Sequence, residues 1–253
     1  MNKFYSIRDD LKSWDVNQIN IELEKAINTA GINFKHWKGT VQLKDFNGQW
    51  APKSLNYDTS VTDVRTINGD VNITTNLEEY TGLAERLFSG SGKRGRVVDG
   101  VMVSSPRITD DKLSDLNPFF KGTIVEELHE FMKDKFQAPI RIRCQNRTVN
   151  GTAQGLYWHK DNPVENRFHI PLWTNPGHLL LFTDINFKWD KGFDKEEAMK
   201  PMDVVGHYIP PDGRIYEIFT KDYMHAVASV GVGWYQAREE QTRCHLSFWV
   251  GKN

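Results

Sequence analysis

The sequence predicts a mainly β protein with added helices, whose C-terminal half, residues 136–253, is formed by packed antiparallel sheets. Three observations support this prediction. The apolar residues change from helical spacing to alternation after Ile140, about seven short strands are separated by turns rich in Gly, Pro and Asn, and no helix in this half is long enough for a parallel crossover. A two-sheet antiparallel barrel and a jelly roll both satisfy these observations.

Residues 1–135 are predicted to form a mixed helix and strand region that packs on this core. Helices are expected where apolar residues recur every three or four positions, and strands where short β-prone runs are bounded by turn residues. The predicted elements are a helix over 16–30, β-prone pieces at 40–43 and 71–74, a helix from Leu77 to Phe88, and a helix that begins at Asn117-Pro118 and ends before Pro139.

The core itself is predicted from alternating patterns along the rest of the chain. The predicted strands are 140–144, 156–159, 167–172, 178–182, 214–219, 224–230 and 243–250. Residues 184–203 are charged and do not alternate, so we expect them to form a long insertion near the mouth of a pocket.

Composition excludes several classes of function. The chain has 253 residues, 39% of them hydrophobic and 26% charged, with a net charge of −1, so we expect no nucleic-acid partner. No apolar run approaches the roughly 20 residues of a membrane span, and the N-terminus does not have the pattern of a signal peptide. We therefore expect no membrane partner and a cytoplasmic location. The two cysteines, Cys144 and Cys244, are too few for a disulfide scaffold, and the sequence leaves the oligomeric state open.

Three residues suggest a metal site. His159 and Asp161 lie two positions apart, so both would point to the same face of an extended backbone, and His225 is an isolated histidine in an apolar strand. Two histidines and one carboxylate on one side of a metal form the facial triad of non-haem Fe(II) oxygenases, which leaves positions open for a cosubstrate and O2. The alternative is that both histidines are hydrogen-bonded core residues and that Asp161 belongs to a turn.

A second set of residues suits a dicarboxylate cosubstrate. Arg243 is predicted on the last strand with His245 and Ser247 on the same face, and a guanidinium group matches the geometry of a carboxylate. Arg238, in the preceding turn, is the competing candidate, and a surface ion pair is the alternative role for Arg243. Arg167 and His169 repeat the two-residue spacing with cationic and hydrogen-bonding groups.

The ordered motifs resemble one enzyme family. R-x-H-I-P-L-x-T-N-P follows H-x-D, and H-A-V-x-S and then R-x-H-L-x-F follow later, as in the aspartyl/asparaginyl β-hydroxylase family, which includes cis-4-proline-hydroxylase-like members. The resemblance covers roughly residues 140–250. It implies a double-stranded β-helix core (a jelly roll, cupin-like), with Fe(II) bound by His159, Asp161 and His225. The residues assigned to the 2-oxoglutarate cosubstrate are Arg243, Arg167, His169, Thr148 and Ser247.

The function implied by the resemblance is hydroxylation of an aliphatic C–H bond with Fe(II), 2-oxoglutarate and O2. Some members that act on protein Asp or Asn residues have Gly where this chain has Asp161, so a small substrate such as an amino acid is favoured over a peptide side chain. Arg141, Arg143 and His245 are candidate substrate contacts, and an acidic residue of the 184–203 insertion, such as Asp184 or Asp190, could accept a substrate ammonium group.

Two other classes of function stay open. The first is a non-oxygenase cupin-like metal enzyme, an isomerase or hydrolase that uses Zn or Mn and has no need of Arg243. The second is a jelly-roll binding protein without catalysis, for which the 12% aromatic content and eight Trp residues would suit a carbohydrate ligand.

Overall fold

A computed structural model shows a mainly β protein with antiparallel sheets and few helices in the part of the chain it describes. The described residues are 3–29, 32–35, 40–43, 69–80, 86–87, 95–98, 101–104, 109–148, 160–161, 167–174, 176–183, 204–229 and 242–251. The α-helices described at both ends are α1 (Val16–Thr29) and α2 (Ile124–Phe136), residues 86–87 are also helical, and two short 3-10 helices span Asp110–Lys112 and Pro118–Phe120. This much of the predicted fold class is confirmed.

The strands are short, and most of them are antiparallel neighbours. They are β1 (Tyr5–Ile7), β2 (Ile32–Lys35), β3 (Thr40–Leu43), β4 (Gly69–Asn72), β5 (Thr74–Thr75), β6 (Gly95–Val98), β7 (Val101–Ser104), β8 (Asp115–Leu116), β9 (Ile140–Thr148), β10 (Arg167–Trp173), β11 (His178–Thr183), β12 (Val205–His207), β13 (Tyr216–Ile218), β14 (Met224–Ser229) and β15 (Thr242–Val250).

The largest sheet has six strands in the order β1-β13-β10-β15-β9-β4. A three-stranded sheet has the order β12-β11-β14, and β2-β3, β5-β8 and β6-β7 form separate pairs. Both outer strands of the large sheet, β1 and β4, come from the N-terminal region. The boundary between residues 135 and 136 stays a prediction, but the described N-terminal strands extend the sheet that the later strands build.

One face of the large sheet is apolar and carries the main hydrophobic core. Ile142, Phe168 and Leu246 lie on this face and pack in one cluster with Leu23 of α1 and Leu128 of α2. Because side chains alternate along a strand, the residues between them must point to the opposite face. The helices therefore cover one side of the sheet and leave the other side for polar groups.

The first helix agrees with the sequence over the described residues. Asp15 precedes it, and its Oδ1 atom accepts hydrogen bonds from the backbone N–H groups of Asn17 (2.9 Å) and Gln18 (3.1 Å). These bonds satisfy donors that have no partner within the first turn of a helix.

The predicted start of α2 at Asn117-Pro118 is wrong. Pro118–Phe120 forms a separate 3-10 helix, and Gly122, at φ +73°, turns the chain before the α-helix begins at Ile124. Thr123 is the cap, since its Oγ1 accepts a hydrogen bond from the Val125 N–H at 3.3 Å. The Asn-Pro pair had the composition of a helix start, but its backbone begins the shorter helix instead.

The predicted helix start at Leu77 is also wrong. Residues 77–79 form a turn in which Asn76 Oδ1 accepts hydrogen bonds from the N–H groups of Glu78 (3.1 Å) and Glu79 (2.9 Å). An asparagine that bonds to the following backbone in this way stabilises a turn. Residues 86–87 are helical as predicted, and residues 81–85 and 88 of the predicted helix lie outside the described residues.

Most predicted core strands are found with shifted ends. Strands are present at 167–172, 178–182 and 243–250 as predicted, and the 224–230 strand is present over its described residues. The 140–144 strand extends to Thr148, whereas the 214–219 strand shortens to Tyr216–Ile218 because Asp212 and Arg214 pair with each other in a turn. The predicted strand at 156–159 and the 184–203 insertion lie outside the described residues.

No helix among the described residues is both long enough and apolar enough to cross a membrane.

We predict that Gly213→Ala destabilises the protein strongly. Gly213 has φ +80°, accepts a hydrogen bond from the Trp14 N–H at 2.9 Å, and leaves no room for a Cβ atom, which would overlap the carbonyl oxygen of Trp14. We expect the free energy of unfolding to fall by more than about 3 kcal/mol, measured by urea denaturation. Gly122→Ala is the matched control, because Gly122 has φ +73° but open space around it, and it should cost only about 1–2 kcal/mol. Equal losses in the two variants would contradict the steric argument.

Candidate metal and ligand site

The second face of the large sheet is polar and carries most of the described candidate residues. The strand register sets three rows across β9, β15 and β10. The rows are Arg141, Trp249 and Arg167; Arg143, Ser247 and His169; and Gln145, His245 and Pro171. Most of these side chains are buried, so this face lines an interior site rather than an outer surface.

Asp161 and His225 are close together although 64 residues separate them in the sequence. The Nε2 atom of His225 lies 3.6 Å from Oδ2 of Asp161, and the side chains are 6% and 7% exposed. The Asp161 N–H donates to the carbonyl oxygen of Thr220 at 3.1 Å, which fixes Asp161 against the turn that leads into β14 and His225. His159 lies outside the described residues, and within them no group of three His, Cys, Asp or Glu side chains is arranged to hold a metal.

The ring of His225 is oriented by the backbone of the same turn. Its Nδ1 atom lies 3.4 Å from the carbonyl oxygen of Tyr223. In the tautomer with the proton on Nδ1, this carbonyl accepts a hydrogen bond and Nε2 is the nitrogen that can bind a metal. Histidines that bind metals are commonly oriented in this way, with the second ring nitrogen donating to a backbone carbonyl.

Arg167 contacts the same carboxylate. Its Nη2 atom lies 2.5 Å from Oδ1 of Asp161, so one carboxylate oxygen faces the guanidinium group and the other faces His225. The sequence assigns Arg167 to the cosubstrate, and that role stays a prediction. The geometry shows directly that Arg167 orients Asp161.

Trp249 is the centre of a cluster that the sequence analysis missed. The guanidinium carbons of Arg167, Arg141 and Arg143 lie 4.9, 5.1 and 5.5 Å from its ring centroid. An aromatic face attracts a cation at such distances. The signal was present in the sequence, because Trp249 follows Ser247 by two positions on the same strand and must share its face.

Two stacked histidines form the next part of this face. The rings of His169 and His245 have centroids 4.7 Å apart and planes 23° apart, and His245 Nε2 lies 2.8 Å from Oε1 of Gln145. Gln145 was also missed, although it follows Arg141 and Arg143 at the same two-residue spacing on β9. The predicted inward position of His245 agrees with the structure, whereas contact with a substrate stays a prediction.

Neither His178 nor His207 is among the site residues predicted from the sequence. Both lie on strands, at the start of β11 and the end of β12, and they line one cavity together with His169 and His245. Burial lowers the pKa of the His207 imidazole below its ordinary value, which favours the neutral ring. Nothing in the sequence around His207 distinguished it from a loop histidine.

The remaining candidates can be placed only by their backbone positions. Arg243 stands on β15 opposite Arg147, on the face shared by His245 and Ser247, as predicted. Thr148 pairs with Thr242, and strand alternation places position 148 on the face of Ile142, opposite the polar face. Its predicted hydroxyl contact with the cosubstrate stays a prediction. Arg238, Asp184 and Asp190 lie outside the described residues.

Comparisons with known proteins do not identify a family. No family model matches the chain, and no curated protein matches it. Solved structures with partial likeness include AviO1 from Streptomyces viridochromogenes Tue57, with a TM-score of 0.33 and 15% identity over 73% of this chain and 90% of that one. A bsmA homolog from Methylobium petroleophilum PM1 has a TM-score of 0.34 and 9% identity over 73% and 71% of the two chains. A dTDP-4-dehydrorhamnose 3,5-epimerase from Bacillus anthracis has a TM-score of 0.27 and 10% identity over 64% and 70%.

Proposed function

We propose that this protein is an Fe(II)- and 2-oxoglutarate-dependent dioxygenase of the aspartyl/asparaginyl β-hydroxylase type, which hydroxylates an aliphatic C–H bond of a small substrate such as an amino acid. The observation that carries the proposal is the approach of Asp161 and His225 to 3.6 Å in a buried position. The motif resemblance independently implies that these two residues bind one metal.

The donor set fits iron. Two ligands that each lie about 2.1 Å from one metal at the right angle of a facial triad stand about 3.0 Å apart, so the Asp161 and His225 atoms, now 3.6 Å apart, would approach by roughly 0.6 Å to bind one iron. A mixed nitrogen and oxygen set suits Fe(II), and the tautomer of His225 with the proton on Nδ1 would offer Nε2 as the ligand atom. His159 is the proposed third ligand on the grounds of the H-x-D spacing.

Iron at this site, with 2-oxoglutarate and O2, supplies the oxidising chemistry that inserts one oxygen atom into a C–H bond and yields succinate and CO2. The protein groups bind and orient. Arg167 holds the carboxylate of Asp161, and His169 and Arg243 are proposed to bind the cosubstrate carboxylates. Phe182, fully buried, lies beside the His225 ring with centroids 6.5 Å apart and helps to exclude water.

We further propose that the core is a jelly roll. Two antiparallel sheets carry the candidate residues, with Asp161 beside the large sheet and His225 on the three-stranded one. A second apolar cluster joins the sheets, since Phe182 and Val227 of the small sheet pack with Tyr216 and Ile218 of the large one. This arrangement supports an enclosed site between two sheets.

The proposal is tested by succinate release from protein purified without oxygen. The protein is supplied with Fe(II), 2-oxoglutarate and ascorbate, and offered a panel of free amino acids and, separately, peptides. We expect iron-dependent succinate release and a mass gain of one oxygen in at least one free amino acid. Hydroxylation of peptides alone would reject the small substrate and keep the oxygenase. Tight Zn or Mn binding with no 2-oxoglutarate turnover would favour the other cupin-like enzymes, and no metal binding would favour a binding protein.

We predict that Arg243→Lys weakens the cosubstrate interaction. Lysine keeps the charge but loses the two parallel hydrogen bonds of the guanidinium fork, so the KM for 2-oxoglutarate should rise about tenfold or more. Steady-state succinate release measures the effect. Arg238→Ala is the control and should behave as a surface change. A large effect of Arg238→Ala with little effect of Arg243→Lys would move the cosubstrate site to the segment around residue 238.

A further inference from the structure

The turn at residues 219–223 leads from β13 into β14 and holds both described members of the proposed metal site. The carbonyl oxygen of Thr220 accepts a hydrogen bond from the Asp161 N–H at 3.1 Å. The carbonyl oxygen of Tyr223 lies 3.4 Å from Nδ1 of His225. The conformation of this turn therefore helps to set the distance between the Asp161 and His225 side chains.

Phe4 is bonded to this turn through its backbone. The Phe219 N–H donates a hydrogen bond to the carbonyl oxygen of Phe4 at 3.0 Å. The carbonyl oxygen of Phe219 accepts hydrogen bonds from the N–H groups of Asp222 and Tyr223, each at 3.1 Å, which close the turn. β1 begins at the residue after Phe4 and pairs with β13 in the large sheet, so Phe4 is fixed at the start of the turn.

The ring of Phe4 joins the turn to the three-stranded sheet. It stacks on Phe182 of β11, with ring centroids 4.9 Å apart and planes 10° apart, and it meets Tyr223 of the turn edge to face at 4.9 Å. Aromatic pairs favour both arrangements. Phe182 stands opposite His225 in the register of β11 and β14, and their ring centroids are 6.5 Å apart. The buried Phe4 ring therefore packs between the two groups that flank the His225 imidazole, one in the turn and one on the neighbouring strand.

We infer that Phe4 is a positioning residue, which holds Asp161 and His225 close to the separation that one metal needs. It acts through the turn and through Phe182. The inference rests on the proposed function, since the separation of the two side chains matters for binding only if they share a metal. Without the ring, the turn and Phe182 lose a shared packing partner, and the pair spends less time at a competent separation. The apparent iron affinity falls with the fraction of molecules that are competent.

Calorimetry with Fe(II) on the full chain, under anaerobic conditions, tests this role. Phe4→Leu keeps an apolar side chain but loses the flat ring, so iron should bind about tenfold more weakly. Phe4→Ala also loses the packed volume and should weaken iron binding by about 10- to 100-fold, as do changes to residues that orient a metal ligand. Phe4→Leu keeps the test available if Phe4→Ala fails to fold.

Phe120→Leu is the matched control. Phe120 is also a buried phenylalanine, but it packs in the apolar cluster on the helix side of the large sheet. Its replacement should lower the midpoint of thermal unfolding and leave the Kd for Fe(II) within about twofold of the unaltered protein. A loss of iron affinity in Phe4→Leu that is absent from Phe120→Leu separates positioning from a general loss of stability.

Hydrogen exchange of the metal-free protein, followed by NMR, gives a second readout that does not depend on iron. The amides of Asp161 and Tyr223 donate their hydrogen bonds to carbonyl oxygens of the turn. Phe4→Leu should speed the exchange of both amides about fivefold or more, because local opening of the turn becomes easier. Phe120→Leu should leave both exchange rates within about twofold.

Two results would overturn the inference in a protein that binds iron. One is unchanged iron affinity in Phe4→Leu, and the other is an equal loss of affinity in Phe4→Leu and Phe120→Leu. Failure of the unaltered protein to bind iron would reject the proposed function instead. In that case hydrogen exchange decides whether Phe4 positions Asp161 and the turn: faster exchange in Phe4→Leu alone supports this role, and unchanged exchange contradicts it.

Discussion

His225→Ala is expected to abolish iron-dependent turnover while the protein stays folded. The variant loses one of the proposed ligands, and because changes to residues that merely orient a ligand already cost 10- to 100-fold in metal affinity, loss of a ligand should cost more than about 100-fold. The neighbouring sheet does not depend on the imidazole for its hydrogen bonds, since β11 and β14 pair through their backbones. Calorimetry with Fe(II) under anaerobic conditions measures the affinity, and thermal unfolding checks the fold.

The matched control is His129→Gln. His129 is also buried and lies on α2, on the helix side of the large sheet, with Nε2 at 3.1 Å from the carbonyl oxygen of Ser114. This change should alter stability and leave iron affinity unchanged. Iron affinity that survives in His225→Ala would mean that His225 is a core histidine, which is the alternative left open by the sequence.

Asp161→Asn is expected to have the second large effect. An amide in place of the carboxylate removes the charge that attracts the metal, so iron affinity should fall about 100-fold or more. It also leaves Arg167 facing a neutral group, which should lower the free energy of unfolding by about 1–3 kcal/mol. Metal titration and urea denaturation of the same preparation measure both quantities.

A second aspartate–arginine pair supplies the control. Asp212 and Arg214 approach to 2.6 Å at a more exposed position, so Asp212→Asn should cost less than about 1 kcal/mol and leave iron affinity unchanged. If Asp161→Asn lowered stability but kept full iron affinity, the carboxylate would serve only to pair with Arg167.

The polar face of the sheet was the most predictable part of the site. Alternation along residues 140–144 places Arg141 and Arg143 on one face of their strand, and alternation along 243–250 places His245 and Ser247 on one face of theirs. The register of β9 and β15 then shows that both faces belong to the same side of the sheet. The close approach of Asp161 and His225 was predicted through the motif order. Sequence spacing alone could not have predicted that the two side chains are close, because their approach depends on the turn that holds Asp161 at Thr220.

Other features depend on contacts that no local pattern contains. β1 and β4 pair with strands that lie far away in the chain. Because no local pattern indicates this pairing, the N-terminal region was predicted to pack on the core rather than to extend its sheet. The sequence contains eight tryptophans, and no local pattern distinguishes Trp249 from the others. Only the strand register shows that three guanidinium groups lie around its ring. The predicted helix starts at Leu77 and at Asn117-Pro118 were wrong because asparagine, which stands at positions 76 and 117, favours turns and helix caps alike.

The central claim is that His159, Asp161 and His225 hold one Fe(II) ion. A crystal of the full chain, grown without oxygen and soaked with Fe(II) and 2-oxoglutarate, tests it most directly, with anomalous scattering at the iron edge to identify the metal. The account predicts one iron site, with a carboxylate oxygen of Asp161 and Nε2 of His225 at about 2.0–2.2 Å from the metal, His159 as the third protein ligand, and Oδ1 of Asp161 still paired with Arg167. Iron bound elsewhere, or a site in which the Asp161 and His225 side chains stay in contact with no metal between them, would contradict it.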